Sequence, residues 1–201
     1  MTLQESKFSF LKEDCMELFG SELGSKRYRQ AENRYQELQK QVLKTENPAI
    51  QEHLLSNLFP PLAYYQTLRA EGISQKDALA LVEQETQKTA LQKKAAMESM
   101  TKLPFTYGIY RLFVKKFMAK NFPTEGWEIQ WLECSGKAIR FHLSRCLYWE
   151  VCQQQGCPEL CQVYCKNDNI AFSGLLPKIQ FQRSQTLGMG GKFCDFCFQK
   201  G

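Results

Sequence analysis

Two hydrophobic periods divide this chain. As far as residue 122, apolar residues recur every three or four positions, the spacing of helices with one buried face. Phe8, Phe10, Leu11, Met16, Leu18 and Phe19 outline a short helix ending near Gly20 or Gly24. Tyr28 to Lys44 is more polar, with Tyr35, Leu38 and Val42 as a thin apolar stripe. Ile50 to Arg69 is richer in apolar side chains and contains Pro60-Pro61, which should break or kink it because proline lacks an amide donor. Ser74 and Asp77 resemble a capping box that opens a long helix through Ala78, Leu79, Leu81 and Val82 toward Met97 and Met100, stopped by Pro104. A further helix runs from Tyr107 to Phe122, with Ile109, Leu112, Phe113, Phe117 and Met118 expected inward and Lys115, Lys116 and Lys120 expected in water.

Beyond Gly126 the period falls to two. Trp127, Ile129 and Trp131 alternate with polar residues, and after Ser135-Gly136 so do Ile139, Phe141 and Leu143. This predicts an antiparallel hairpin buried on one face. Cys146 to Gln155 returns to helical spacing, and Pro158 opens a second helix through Leu160, Val163 and Tyr164. Ile179 to Leu187 alternates again, Gly188 to Gly191 makes a loop, and Phe193 to Gln199 makes a last strand. The expected fold is α+β: a helical N-terminal half, then a four-stranded antiparallel sheet with two helices inserted between strands two and three. Residues 1–122 form a helical segment packing on the sheet and 123–201 the ligand-binding or catalytic core, together one compact domain.

Composition narrows the function. The 201 residues are 43% hydrophobic and 23% charged, without a membrane-length apolar run. The N-terminus lacks the basic and apolar regions of a secretory signal. Nine cysteines, an odd number, fit reduced thiols in the cytoplasm better than a disulfide framework. Lys+Arg number 13 against 14 Asp+Glu in residues 1–100, and 13 against 7 in residues 101–201. The basic half has only one adjacent basic pair, Lys115-Lys116, and no aromatic–basic RNA motif. A small anionic substrate is therefore the expected partner, with no nucleic acid and no membrane.

The candidate chemistry lies between Arg145 and Phe198, a window with seven of the nine cysteines. Cys157, Cys161 and Cys165 fall one helical turn apart, and Cys194-x2-Cys197 offers two more sulfurs. The strand sends Cys194 and Cys197 to opposite faces, and the other run fits no familiar cluster spacing, so neither metal nor another cofactor is expected. Cys146 begins a helix and follows Arg145, two features that lower a thiol pKa. Cys165 closes the next helix three residues ahead of Asp168. Arg183, always charged, needs an anion if buried: Asp168, Asp195 or a substrate carboxylate. His142 shares a strand face with Arg140 and could reach a cleft.

These blocks carry a resemblance. Phe141-His142-Leu-Ser-Arg145-Cys146-Leu-Tyr148, Gly156-Cys-Pro158-Glu159-Leu160, Cys165-x2-Asp168, Phe181-x-Arg183-x2-Thr186-Leu187 and Gly191-x2-Cys194-Asp195-Phe196-x-Phe198 resemble the L-2-amino-thiazoline-4-carboxylic acid hydrolase family. The resemblance implies a cytoplasmic, metal-independent hydrolase on a route of cysteine biosynthesis. It would open a cyclic amidine to N-carbamoyl-L-cysteine, with Cys146, Cys165, Asp168 and Asp195 catalytic. Arg145, Arg183, His142, Thr186 and Cys194 would bind substrate. Cys152, Cys157, Cys161 and Cys197 lie outside the family pattern. The closing strand is also similar to small-ligand-binding domains of the 4-vinyl-reductase type, which implies a non-catalytic sensor or carrier as the alternative.

Overall fold

The computed structural model describes all residues except Leu43 and Lys44, together with the side chains of Gln41 and Val42. The chain divides into two compact units, Met1–Thr89 and Ala90–Gly201.

The first unit is helical. After a capped turn at Leu3–Glu5 come α1 (Leu11–Phe19), α2 (Ser21–Val42), α3 (Pro48–Glu52), α4 (Phe59–Ala70) and the start of α5 (Gln75–Thr101). The expected helix end at Lys44 and the Val42 side chain lie outside the described residues. Its core gathers Leu11, Tyr35, Leu38, Leu62, Tyr64 and Leu68, all fully buried. Pro60 and Pro61 do not end the helical path. A π segment, His53–Leu58, precedes them, and both rings lie in the opening turn of α4, where an amide donor is not required. Ser74 caps α5 as expected, accepting from the Asp77 amide at 3.1 Å, while its hydroxyl donates to the Asp77 carboxylate at 2.6 Å.

The second unit holds the end of α5, then α6 (Thr106–Asn121), β1 (Trp127–Cys134), β2 (Ala138–Cys146), α7 (Leu147–Gln154), α8 (Cys161–Ser173), β3 (Ile179–Gln182) and β4 (Cys194–Lys200). The strands form one antiparallel sheet in the order β1-β2-β4-β3. The fold is α+β, with α7 and α8 inserted between the second and third strands. Pairing of Ile139 with Phe198, Phe141 with Phe196 and Leu143 with Cys194 sets one apolar face. Tyr110 of α6 and Phe172 of α8 pack on Phe198 at 5.4 and 5.0 Å between ring centroids. The alternate positions, His142 paired with Asp195 and Arg140 with Cys197, face the other way.

Three local expectations change. Tyr107, Tyr110 and Val114 make the inward face of α6, whereas Leu112, Phe113 and Phe117, expected inside, are exposed. Apolar residues surround most of this helix, so periodicity does not select a face. The Tyr107 hydroxyl, donating to the Ser135 carbonyl at 2.9 Å, and the Tyr110 ring do. β3 stops at Gln182, five residues before the expected end, because the amides of Ser184 and Gln185 bond to the Asp195 carboxylate rather than to a strand. α8 continues to Ser173, so Cys165 does not close it. Cys165 and Asp168 thus lie one turn apart on the same helix side, while Cys157 precedes the helix.

Candidate active site

The thiols of the second unit gather where β2 runs into α7, α8 passes the first residue of β4, and the loop after β3 folds back. Cys146 is the N-cap of α7. Cys161 and Cys165 are one turn apart on α8, and Cys152 on α7 hydrogen-bonds with Cys161. Cys194 accepts from the Leu187 amide at 3.3 Å. Gly188 closes the cluster: a Cβ there would lie 2.8 Å from Cys161 Sγ, closer than real side-chain carbons pack, and 3.1 Å from Cys165 Sγ, a tight contact. The sequence Gly188-Met189-Gly190 thus lets a 3₁₀ turn rest directly on two sulfurs. Gly190 ends that turn with φ +83°, a conformation that favours glycine.

Asp168 and Arg183 form the charged edge of the cluster. Arg183 Nη1 donates to Asp168 Oδ2 at 2.7 Å, Nη2 donates to the Cys165 carbonyl, and the arginine side chain is only 5% exposed. Its guanidinium also stands over the Phe181 and Phe196 rings. Burial raises the Asp168 pKa and Arg183 pulls it back, with Lys93 adding a smaller favourable charge. With 40% of the Asp168 side chain open to solvent, the close arginine offsets part of the desolvation, and the carboxyl stays above its ordinary value. Asp168 Oδ1 makes no hydrogen bond among the described residues, which leaves it available to a ligand.

The thiols are proton-bearing. Burial pushes Cys146 up to about 12, against smaller help from the Trp149 and Tyr148 amides. Burial holds Cys194 at about 11 despite the Leu187 amide. Cys161 stands far above its ordinary value through its hydrogen bond with Cys152, and Cys165 through its hydrogen bond with Cys161 and through burial. Sulfurs that solvate one another in a dry cluster leave no route for a negative charge to spread. Thr186 is buried beside them. Its hydroxyl lacks a hydrogen bond of good geometry but interacts with the Cys165 thiol, slightly favouring the thiolate.

The remaining candidates lie apart from that cluster or are engaged. Arg145 turns its fork to Glu150, at 2.6 and 3.0 Å, instead of toward Cys146. His142 stacks on Phe193, with 3.9 Å between ring centroids, on the sheet face opposite Phe141, Leu143 and Cys194. Asp195, on that same face, accepts from the Ser184 amide and hydroxyl and from the Gln185 amide at 2.6 to 3.1 Å. Burial alone would raise its pKa, but these donors bring it below the ordinary carboxylate value. Sequence reasoning set Cys161 and Cys152 aside as extra thiols, although the four-residue step from Cys161 to Cys165 was a signal. Asn167, whose Oδ1 is buried without a hydrogen-bond partner in the structure, left no trace in the pattern. Among the described residues no three His, Cys, Asp or Glu side chains converge so as to hold a metal ion.

The second unit is thus an α+β fold with a carboxylate, a guanidinium and a cluster of thiols gathered at one end of its antiparallel sheet. The model of the L-2-amino-thiazoline-4-carboxylic acid hydrolase family matches residues 48–198, three quarters of the chain and all of the cluster. The chain belongs to that family. Comparison with curated proteins and with solved structures gives no significant match.

Proposed function

We propose that the protein is a hydrolase that opens a cyclic amidine of the L-2-amino-thiazoline-4-carboxylate type to N-carbamoyl-L-cysteine. The observation that carries this reading is a family match spanning a site where a partly open carboxylate, Asp168, adjoins a protonated thiol, Cys165. In this reading Asp168 Oδ1 takes a proton from water as its oxygen adds to C2 of the ring. The C–S bond then breaks as the Cys165 thiol passes its proton to the leaving sulfur and takes, in the same step, the proton that Asp168 holds. Water is consumed and a urea and a free thiol are formed.

The remaining assignments follow from the same reading. Raised thiol pKa values keep Cys165 and Cys146 protonated, which argues against either as a thiolate nucleophile. Arg183 acts mainly by orienting Asp168, and Thr186 and Cys194 line the substrate side of the cluster. Arg145, His142 and Asp195 act from outside that group, Asp195 by holding the loop that carries Thr186. The substrate is a small anion, and nine cysteines outside any disulfide support a reducing, cytoplasmic setting on a route to cysteine. No helix of the described residues is long and apolar enough to cross a membrane.

The engaged guanidinium of Arg183 favours a second reading, a non-catalytic binding domain. Incubating the protein with the thiazoline and following N-carbamoyl-L-cysteine by mass, together with free thiol release, separates the two. Turnover that depends on Asp168 is expected. Saturable binding without product would establish the binding reading instead.

A further inference from the structure

The second unit carries an apolar surface that the proposed chemistry does not use. Phe105 is 88% exposed, Leu112 73%, and Phe113 and Phe117 56% each, with Leu103 close behind at 49%. At 100° per residue, positions 109, 112, 113, 116 and 120 of α6 lie on the side away from Tyr107 and Val114, Phe117 lies on the flank next to Tyr110 and beside Phe122, and Phe105 immediately precedes them. The result is a convex ridge about 20 Å long, not a groove. Isolated exposed apolar residues are ordinary, but several large ones along one short stretch of surface mark a contact surface.

The charge around the ridge selects its partner. From Lys102 to Asn121 the chain carries Lys102, Arg111, Lys115, Lys116 and Lys120 and not one Asp or Glu. A second copy docked ridge to ridge would bring these cations against their own copies. An acidic protein would need a carboxylate placed opposite each lysine in a fixed register. A fluid anionic lipid surface imposes no register. Rings and leucines enter the headgroup boundary, while the interleaved lysines lift their ammonium groups along apolar stems to the phosphates. We propose that the outer face of α6 is a docking surface for an anionic lipid bilayer, engaged from one leaflet. The expectation of no membrane partner rested on the lack of a spanning segment, which this mode does not need.

The test is flotation of the full chain with vesicles of phosphatidylcholine alone and of phosphatidylcholine containing about a third phosphatidylserine. Binding to the second only is expected, and it should weaken steeply as salt is raised. Phe113→Ser with Phe117→Ser, and separately Lys116→Glu with Lys120→Glu, should each lower partitioning about tenfold or more. All four side chains are exposed, so the helical circular dichroism signal should stay unchanged. The single Phe113→Ser variant provides the same readout should a double variant misfold. The proposal is overturned by no vesicle binding, or by equal binding to neutral vesicles that ignores the lysine changes. It is also overturned if binding occurs only to an acidic polypeptide, or if a vesicle-free dimer is abolished by the same substitutions.

Discussion

Arg183 Nη1 lies 2.7 Å from Asp168 Oδ2, joining the residue after β3 to the middle of α8. Arginine fits here because the same planar fork reaches both the carboxylate and the Cys165 carbonyl, and its flat face lies over Phe181 and Phe196.

Replacing the fork with a single ammonium should therefore cost stability. Arg183→Lys is expected to lose about 1–3 kcal/mol, discounted for the open side of Asp168, and to melt several degrees lower. Thermal unfolding checks this. A wild-type melting temperature with a raised KM would instead make Arg183 a substrate clamp.

The thiols should separate by role. Cys165→Ser is expected to lower kcat by about 10²-fold or more, because the shorter C–O bond draws the relayed proton back from the leaving sulfur. Cys146→Ser, at a site that keeps its thiol protonated and faces no arginine, should lose stability more than rate. Steady-state kinetics on both variants decide the matter. Equal, near-complete loss in the Cys146 variant would restore it as the nucleophile.

Asp195 supports the loop between β3 and β4, and its pKa is depressed. Its stabilisation is thus present above the unfolded value near 3.9 and lost as pH falls through the lower folded value. Asp195→Asn should destabilise at pH 7 by about 1 kcal/mol and flatten the acid limb of the stability curve. Denaturant titration between pH 2 and pH 7, spanning the carboxylate range, tests both expectations.

Glu85 in the first unit works in the opposite direction. It is 6% exposed, and Lys88 stands between it and Asp14, 3.1 Å from Glu85 Oε2 and 2.6 Å from Asp14 Oδ2. Burial, with Asp14 opposing and Lys88 helping ionisation, pushes Glu85 up to about 7 from 4.5. The folded state then binds the extra proton between those values, so this contribution is full below about 4.5 and lost as pH rises through about 7. The unit should be more stable near pH 5 than near pH 8 by about 2 kcal/mol, and Glu85→Gln should remove the difference. Melting curves at both pH values would show it; an unchanged pH slope in the variant contradicts the assignment.

The order of helices and strands was readable because local spacing dictates it. The change from period 3.6 to period 2 after Gly126 marks the start of the sheet, and the Ser135-Gly136 turn sets the hairpin pairing of Cys134 with Ile139. The clustering of thiols and the need of Arg183 for an anion were equally local facts of composition. Tertiary structure decided the rest. Asp168 and Asp195 are each within a few residues of a cysteine and equally acidic on paper, yet α8 brings one to Arg183 while β4 turns the other to Ser184. Cys146 carries both sequence marks of an activated thiol, but desolvation in the folded cluster outweighs the helix amides, and Arg145 lies with Glu150. On α6, apolar residues stand on both sides, and only the neighbouring sheet determines which side is buried. Spacing along a chain encodes elements, whereas pKa values, ion-pair choice and buried faces depend on distances between residues far apart in sequence.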